Sequence, residues 1–346
     1  MPEKARGLDR LRLERILVVQ LGKVGDVLLC TPILRALRAR FPDARIAFLT
    51  RRPCADLLRG NPHLDEILEA GSFPGTLREI LSRDFTLALD LQRSHFSSLL
   101  LGTAGLPLRL GRPVGGLRDA LMTHLVPAQR AYSAHFRASI LRVLGIEELS
   151  LDLDLIVPDD LLAWARAWRE ALGPGGPLVA FSPWASAPTR ALLPLDQARV
   201  VRLLSASLGV RMVILWGPGE EGAARALAAE TGMPCAPPTD LPALVALISA
   251  CDALVGACSG PRHIAVARRV PTLVAHGASA VGGWTRPTPW HRALWRELDC
   301  RPCNRDRCDR GLACLTDLDP ASFVEPLREL LTLGAEPTLR VRILPS

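Results

Sequence analysis

The sequence predicts an α/β protein made of two successive parallel sheets, each covered by helices on both faces. Three observations carry this. The 346 residues suit two domains of ordinary size. Short apolar, strand-like runs alternate with helix-like segments along the chain. The alternation breaks at Gly173-Pro174-Gly175-Gly176-Pro177 and then begins again. The expected domains are therefore residues 1–172 and 173–346, each Rossmann-like and doubly wound, facing a central cleft.

In the first half, Ile16–Val19 reads as a central buried strand, followed by a helix from about Asp26 to Arg40. Arg45–Leu49 is a second strand, with a helix near Cys54–Gly60. Asp65–Leu68 is a short strand and Leu77–Arg83 a helix. Thr86–Leu91 is a strand, Phe96–Thr103 a helix and Leu108–Gly111 a further short strand. Residues 112–150 are less regular, with a helix near Phe136–Leu144 and two histidines, His124 and His135. They are expected to shape an acceptor cleft.

A helix carrying Trp164 and Trp168 precedes the break. After it come strand Leu178–Ser182, helix Leu195–Ser207, strand Arg211–Trp216 and helices Glu220–Thr231 and Leu241–Ala250. Strand Ala253–Gly256, a helix from Pro261 and strand Thr272–His276 follow. A last helix near Pro320–Leu333 is expected to pack back across the first domain.

Composition excludes several classes. Hydrophobic residues are 49% of the chain, enough for sizeable cores. No apolar run approaches the roughly 20 residues that span a bilayer, and the charged N-terminus leads into a strand too short for a signal-peptide core. A cytoplasmic location is the expectation. Nine cysteines are too few for a disulfide scaffold in a chain of this length. The net charge of +7 favours anionic partners. All basic residues but Lys4 and Lys23 are arginine. With a single Tyr and no long basic run, a stacking platform for nucleic acid is not expected.

The segment Gln20-Leu21-Gly22-Lys23-Val24-Gly25-Asp26 links the first strand to its helix. Gly22 and Gly25 free the turn for close approach of a ligand or a neighbouring chain. Asp26 has two readings: a cap for free backbone N–H groups, or a carboxylate that takes a proton from a substrate hydroxyl at the ligand-binding end of the sheet. Lys23 is either a solvated loop residue or a contact for an acceptor phosphate. A P-loop is excluded, because Leu17 and Val24 stand where Gly and Ser or Thr are needed. The glycines also do not complete a dinucleotide fingerprint.

Ser259-Gly260-Pro261-Arg262-His263 follows a strand and opens a helix. Pro261 suits the first turn, Ser259 is a good N-cap residue, and the free N–H groups suit a diphosphate. Cys300, Cys303, Cys308 and Cys314 form C-x2-C-x4-C-x5-C. Four thiolates there would complete a structural zinc site; four reduced thiols are the alternative.

Taken together, Gly25-Asp26-Val27-Leu28 with Thr31-Pro32, Ser259-Gly260-Pro261-x-His263-Ile264-Ala265, and the cysteine-bearing tail before Leu318-x-Pro320 resemble glycosyltransferase family 9. These are the heptosyltransferases of the lipopolysaccharide inner core. The resemblance spans residues 16 to 320. It implies a GT-B architecture and an inverting, metal-independent transfer of a sugar from a nucleotide-sugar donor, with ADP-heptose the expected donor and an anionic glycolipid the acceptor. It implies Asp26 as catalytic base and Lys23 and Gly25 on the acceptor side. Ser259, Gly260, His263, Arg190, Gly277 and Ser279 would lie on the donor side. It also implies peripheral contact with the inner face of the cytoplasmic membrane.

Two departures stand out. Cys258 occupies the position of a family Asp expected to touch the donor sugar, and a thiol is a poorer acceptor than a carboxylate. Ala191 takes the place of a family Lys, with Arg190 one residue earlier as the nearest cation. The alternatives are a nucleotide-sugar epimerase on the same architecture and a binding protein that has lost chemistry.

Overall fold

A computed structural model of the chain describes residues 13–334 and 336–343. By its contacts the chain forms two units, Met1–Ile156 with Thr338–Ser346, and Val157–Pro337. The division thus falls before the helix Asp159–Ala171, not at residue 173. This helix packs against the helix Leu241–Ser249 of the second unit. Gly173–Pro177 joins the helix to the first strand of its own unit.

The first unit holds a six-stranded sheet of β1 (Arg15–Val19), β2 (Arg45–Thr50), β3 (Glu66–Glu69), β4 (Leu87–Asp90), β5 (Leu108–Gly111) and β6 (His124–Leu125). The order is β3-β2-β1-β4-β5-β6 and every pairing is parallel. This is the doubly wound dinucleotide-fold order, with its switch point between β1 and β4. Ile16, Leu17, Val18 and Val19 of β1 are fully buried, which explains the unbroken apolar run. Strand β6 was not read from the sequence; it is two residues long.

The expected helix Asp26–Arg40 is two helices, Val24–Leu28 and Thr31–Arg40. Pro32 lies in the first turn of the second, where its missing N–H costs nothing. The Thr31 hydroxyl donates to the Leu28 carbonyl at 2.8 Å and closes the step between them. The segment near Cys54 is a 3₁₀ turn, Cys54–Leu58. A small antiparallel pair, β7 (Glu148–Ser150) with β13 (Arg340–Arg342), was also missed, because each strand is only three residues long.

The second unit holds β8 (Leu178–Ser182), β9 (Arg211–Ile214), β10 (Ala253–Ala257), β11 (Thr272–Ala275) and β12 (His291–Leu294) in the order β12-β11-β10-β8-β9. All pairings are again parallel. The switch point lies between β8 and β10. The last helix, Val324–Thr332, buries Leu327 and Leu330 in this unit's own core beside Leu204 and Leu273. That corrects the expectation that it crosses the first domain; its apolar stripe finds its partners on the nearest sheet face.

Gly256 in β10 marks a close approach. A Cβ there would lie 2.0 Å from the Ser182 carbonyl oxygen of β8, which is backbone and cannot swing away. Gly256→Ala is expected to destabilise the second unit by about 1–3 kcal/mol through overpacking. Thermal unfolding of wild type and variant checks this; an unchanged Tm would contradict it.

Candidate active site

Both switch points carry polar groups, each within its own unit. In the first, the loop after β1 is braced by amides. Gly22 N–H donates to Gln20 Oε1 at 3.0 Å and Leu21 N–H to Gln92 Oε1 at 3.2 Å. Asp26 is in the first turn of the short helix that follows. Its Oδ2 accepts the Lys23 backbone N–H at 3.3 Å, so it does cap the helix start. Its Oδ1 is 2.6 Å from Nη2 of Arg137, whose side chain is 10% exposed. Arg137 lies on the helix Ser133–Ala138, 111 residues further along the chain. Gly22 is required by this carboxylate: a Cβ there would stand 2.7 Å from Asp26 Oδ2. Gly25 is buried beneath the turn, and Lys23 points outward, exposed.

The surroundings of Asp26 are basic. The Arg112 guanidinium lies 4.2 Å from the Phe136 ring centroid. Burial, with repulsion from Arg137 and Arg93, pulls the Arg112 pKa down to about 10, still charged at neutral pH. Arg93 is fully enclosed. It donates to the Arg112 and Arg118 carbonyls, to Ser98 Oγ and to Asp119 Oδ1. Asp90, at the end of β4, accepts from the Arg93 N–H at 2.7 Å and from Ser97 and Ser98. Burial pushes its carboxyl up against those hydrogen bonds. Burial also raises two neighbouring thiols, Cys30 to about 12 and Cys54 to about 11, so both stay protonated beside Asp26. Sequence reading missed Arg112 and Arg137, since nothing local marks them.

In the second unit a cavity of about 220 Å³ opens at the switch point. It is lined by residues that follow three strands: Ser182, Trp184 and Ser186 after β8, Trp216, Gly217 and Glu220 after β9, and Ser259, Gly260 and Pro261 after β10. Ser259 holds the N-cap position of the helix Gly260–Ala267, yet its hydroxyl makes no capping bond. That oxygen is buried with no hydrogen-bond partner. A buried hydroxyl left unmatched at a cavity wall can accept or donate one hydrogen bond to a ligand or water there. The sequence reading found Ser259 and Gly260. It missed Trp184, Trp216 and Glu220, which the rule that ligands sit beyond strand ends would have flagged. His263 is buried and packs edge-on against Trp284, centroids 5.9 Å apart.

The loop after β11 is tied from several sides. His276 Nε2 accepts from Arg262 at 2.9 Å, which leaves Nδ1–H to donate to Ser279 Oγ at 3.0 Å. Burial and the nearby charges of Arg262 and Arg301 lower the His276 pKa to about 2. Arg301 donates to the Gly277 and Ser279 carbonyls. Gly277 is needed because a Cβ there would meet the Thr189 carbonyl oxygen at 2.0 Å. Thr189 Oγ1 in turn donates to the Arg305 carbonyl at 2.7 Å, and Arg190 pairs with Asp306 at 2.7 Å.

The cysteine-bearing segment therefore sews two loops together through its arginines and backbone. The four cysteines read as a possible zinc site all lie in this segment. Among the described residues no three His, Cys, Asp or Glu side chains are grouped to hold a metal ion. Cys314 is buried on a short helix, Cys308 is exposed, and Cys300 and Cys303 are half-buried; burial raises the Cys314 thiol pKa, and nearby Cys308 and Cys300 add to that.

The depressed His276 pKa has a consequence for stability. Between about 2 in the folded protein and 6.5 when unfolded, the unfolded chain binds a proton that the folded one does not. Its contribution is complete above pH 6.5 and is lost as pH falls through that window. Wild type should lose stability on acidification faster than His276→Gln, by up to about 1.4 kcal/mol per pH unit. Urea unfolding of both proteins at stepped pH checks this; parallel curves would contradict it.

Comparison with known proteins agrees with this architecture. The model for glycosyltransferase family 9 (heptosyltransferase) matches residues 76–313, a span that holds the second-unit site and begins after Asp26. Lipopolysaccharide heptosyltransferase 3 of Escherichia coli is 24% identical over 342 residues, covering 90% of this chain and 98% of that protein. Its counterpart from strain K12 is 25% identical, covering 89% and 95%. The solved structure of a family 9 glycosyltransferase from Veillonella parvula superposes with a TM-score of 0.77 at 20% identity, covering 93% and 98%. That of E. coli ADP-heptose lps heptosyltransferase II gives 0.74 at 22%, covering 92% and 98%. The fold is GT-B. The chain belongs to glycosyltransferase family 9, the heptosyltransferase family, and is an enzyme of that class.

Proposed function

We propose that the protein transfers heptose from ADP-heptose to a hydroxyl of a lipopolysaccharide core precursor, by direct displacement that inverts the anomeric centre. The observation that carries this is Asp26. Its carboxylate stands at the sheet's ligand-binding edge, held by Arg137 on one oxygen and by the Lys23 N–H on the other. Each oxygen keeps a lone pair free for a substrate proton. The E. coli relatives are named as lipopolysaccharide heptosyltransferases. A solved E. coli heptosyltransferase with ADP-2-deoxy-2-fluoro heptose superposes at a TM-score of 0.60. The first supports heptosyl transfer in lipopolysaccharide synthesis and the second an ADP-linked donor.

In the reaction the acceptor oxygen attacks the anomeric carbon while its proton passes to Asp26. The bond from that carbon to the diphosphate breaks and ADP leaves with the electron pair. Arg137 acts as a positioning residue that fixes the carboxylate. Lys23 and Gly25 lie on the acceptor side. On the donor side, the cavity at β8 and β10 takes the nucleoside. The diphosphate sits at the start of the helix Gly260–Ala267, with Ser259, Gly260 and His263 near it. Gly277 and Ser279 border the leaving group, and Arg190 supplies a nearby cation. The acceptor is anionic and lipid-anchored, so the enzyme works at the inner face of the cytoplasmic membrane. Among the described residues no helix is long and apolar enough to cross a membrane.

A second reading, binding without turnover, rests on Cys258. Its half-buried thiol follows β10 where a family Asp is expected. If wild type transfers nothing from ADP-heptose and Cys258→Asp does, the native donor is altered or the activity lost.

Mass-spectrometric turnover with ADP-heptose and core precursor tests the main reading. Asp26→Asn should lower kcat by about 10²–10⁴-fold, and wild-type turnover by this variant would overturn it. Gly22→Ala pushes a methyl into the carboxylate and should cost about 10²-fold in kcat with ADP affinity unchanged. Equal kcat would show that Asp26 placement does not matter.

A further inference from the structure

In the second unit the enclosed Arg286 lies 3.1 Å from Glu336 Oε1, an ordinary pairing for a buried cation. Arg262 and Arg301 lack such a partner. Arg262 is 1% exposed. It donates to His276 Nε2 at 2.9 Å, to Thr285 Oγ1 at 3.5 Å and to the Trp284 carbonyl. Its Nε is buried with no hydrogen-bond partner. Arg301 is half-buried and donates to the Gly277, Ser279 and Arg296 carbonyls. Each of these acceptors is neutral. Among the described residues neither guanidinium pairs with a carboxylate.

A buried cation among neutral acceptors costs free energy that a bound anion recovers. Arg262 also stands in the first turn of the helix Gly260–Ala267, the positive end of the helix dipole, where a cation is disfavoured. Both charges converge on the loop after β11 and are felt at His276, whose pKa they lower together with burial. The loop is turned to match. Arg301 holds the Gly277 and Ser279 carbonyls, and the Asn304 N–H donates to the Ala278 carbonyl at 2.9 Å. In a trans peptide the N–H points away from the C=O. The Ser279 and Ala280 N–H groups therefore face away from Arg301 and Asn304. Among the described residues neither of them donates a hydrogen bond.

We propose that Arg262 and Arg301 are positioning residues for a diphosphate: from behind the loop they orient its peptides and supply the positive charge that it presents to the leaving group. Neither touches the ligand. Arg190, the other cation at this loop, shares its charge with Asp306 at 2.7 Å. As the bond to the anomeric carbon breaks, negative charge grows on the diphosphate, and a positive field fixed in advance stabilises it without reorganisation. The inference rests on the proposed nucleotide-sugar donor and adds two residues that act on it through the loop.

Calorimetric titration of the full chain with ADP and with adenosine tests it, alongside UDP and GDP with their nucleosides. Wild type should bind ADP more tightly than adenosine. Arg262→Met should weaken ADP about tenfold and leave adenosine unchanged. Arg301→Met should do the same, while Arg301→Lys, which keeps the charge, should hold ADP nearly as well as wild type. The Arg301 pair carries the test if Arg262→Met folds poorly. Unchanged ADP affinity in the Met variants would overturn the proposal, as would a wild type with no preference for a diphosphate over its nucleoside. So would equal loss of ADP affinity in Arg301→Lys and Arg301→Met, the mark of a purely structural fork. A wild type that takes UDP or GDP in place of ADP would instead count against the proposed donor. The same comparison on that nucleotide and its nucleoside then decides the role of the two arginines.

Discussion

Parallel pairing is the constraint on which the rest of this structure depends. When β1 bonds to β2 and β4 in one direction, every strand end and the loop after it must emerge at a single edge. The same holds for β8, β9 and β10 in the second unit. Each sheet then has one switch point where neighbouring chains leave in opposite directions and open a crevice. Asp26 stands at the first and the cavity with Ser259 at the second. Neither site needs a special scaffold beyond the sheet.

Electrostatics does different work at the two sites. Near Asp26 three arginines, Arg137, Arg93 and Arg112, are packed among three acids, Asp26, Asp90 and Asp119. Arg137 holds the carboxylate, Arg93 is used up inside the fold, and Arg112 keeps its charge in spite of burial. A carboxylate fixed in this way needs little reorganisation when charge moves. In the second unit a buried neutral imidazole organises a loop. His276 is kept uncharged and serves as an acceptor for Arg262 and a donor to Ser279, which fixes the loop that borders the proposed leaving group.

Much of this was legible in the sequence, and the limits are physical. The strand β1, its glycine-bounded turn and Asp26 could be read because each signal is local: a buried apolar run, a turn, an acid at a helix start. The motif from Ser259 could be read for the same reason. Arg137 could not, because only the winding of the sheet brings residue 137 to residue 26. Trp216 and Glu220 lay just past a strand whose end was placed two residues late. The cysteine spacing admits a metal or free thiols, because spacing does not fix side-chain direction. Arg301, between the first two thiols, ties the segment to the Gly277 and Ser279 carbonyls, and Asp306 ties it to Arg190. The long expected helix is two, and Pro32 in the first turn of the second is the sequence mark of that break.

The central claim is that one carboxylate, fixed by Arg137, serves as base for a single displacement. The stereochemistry of the product tests it most directly. Proton NMR of the new linkage formed from ADP-heptose should show the anomeric configuration opposite to that of the donor. Retention would require a covalent glycosyl-enzyme intermediate or a second nucleophile, and would contradict the role given to Asp26.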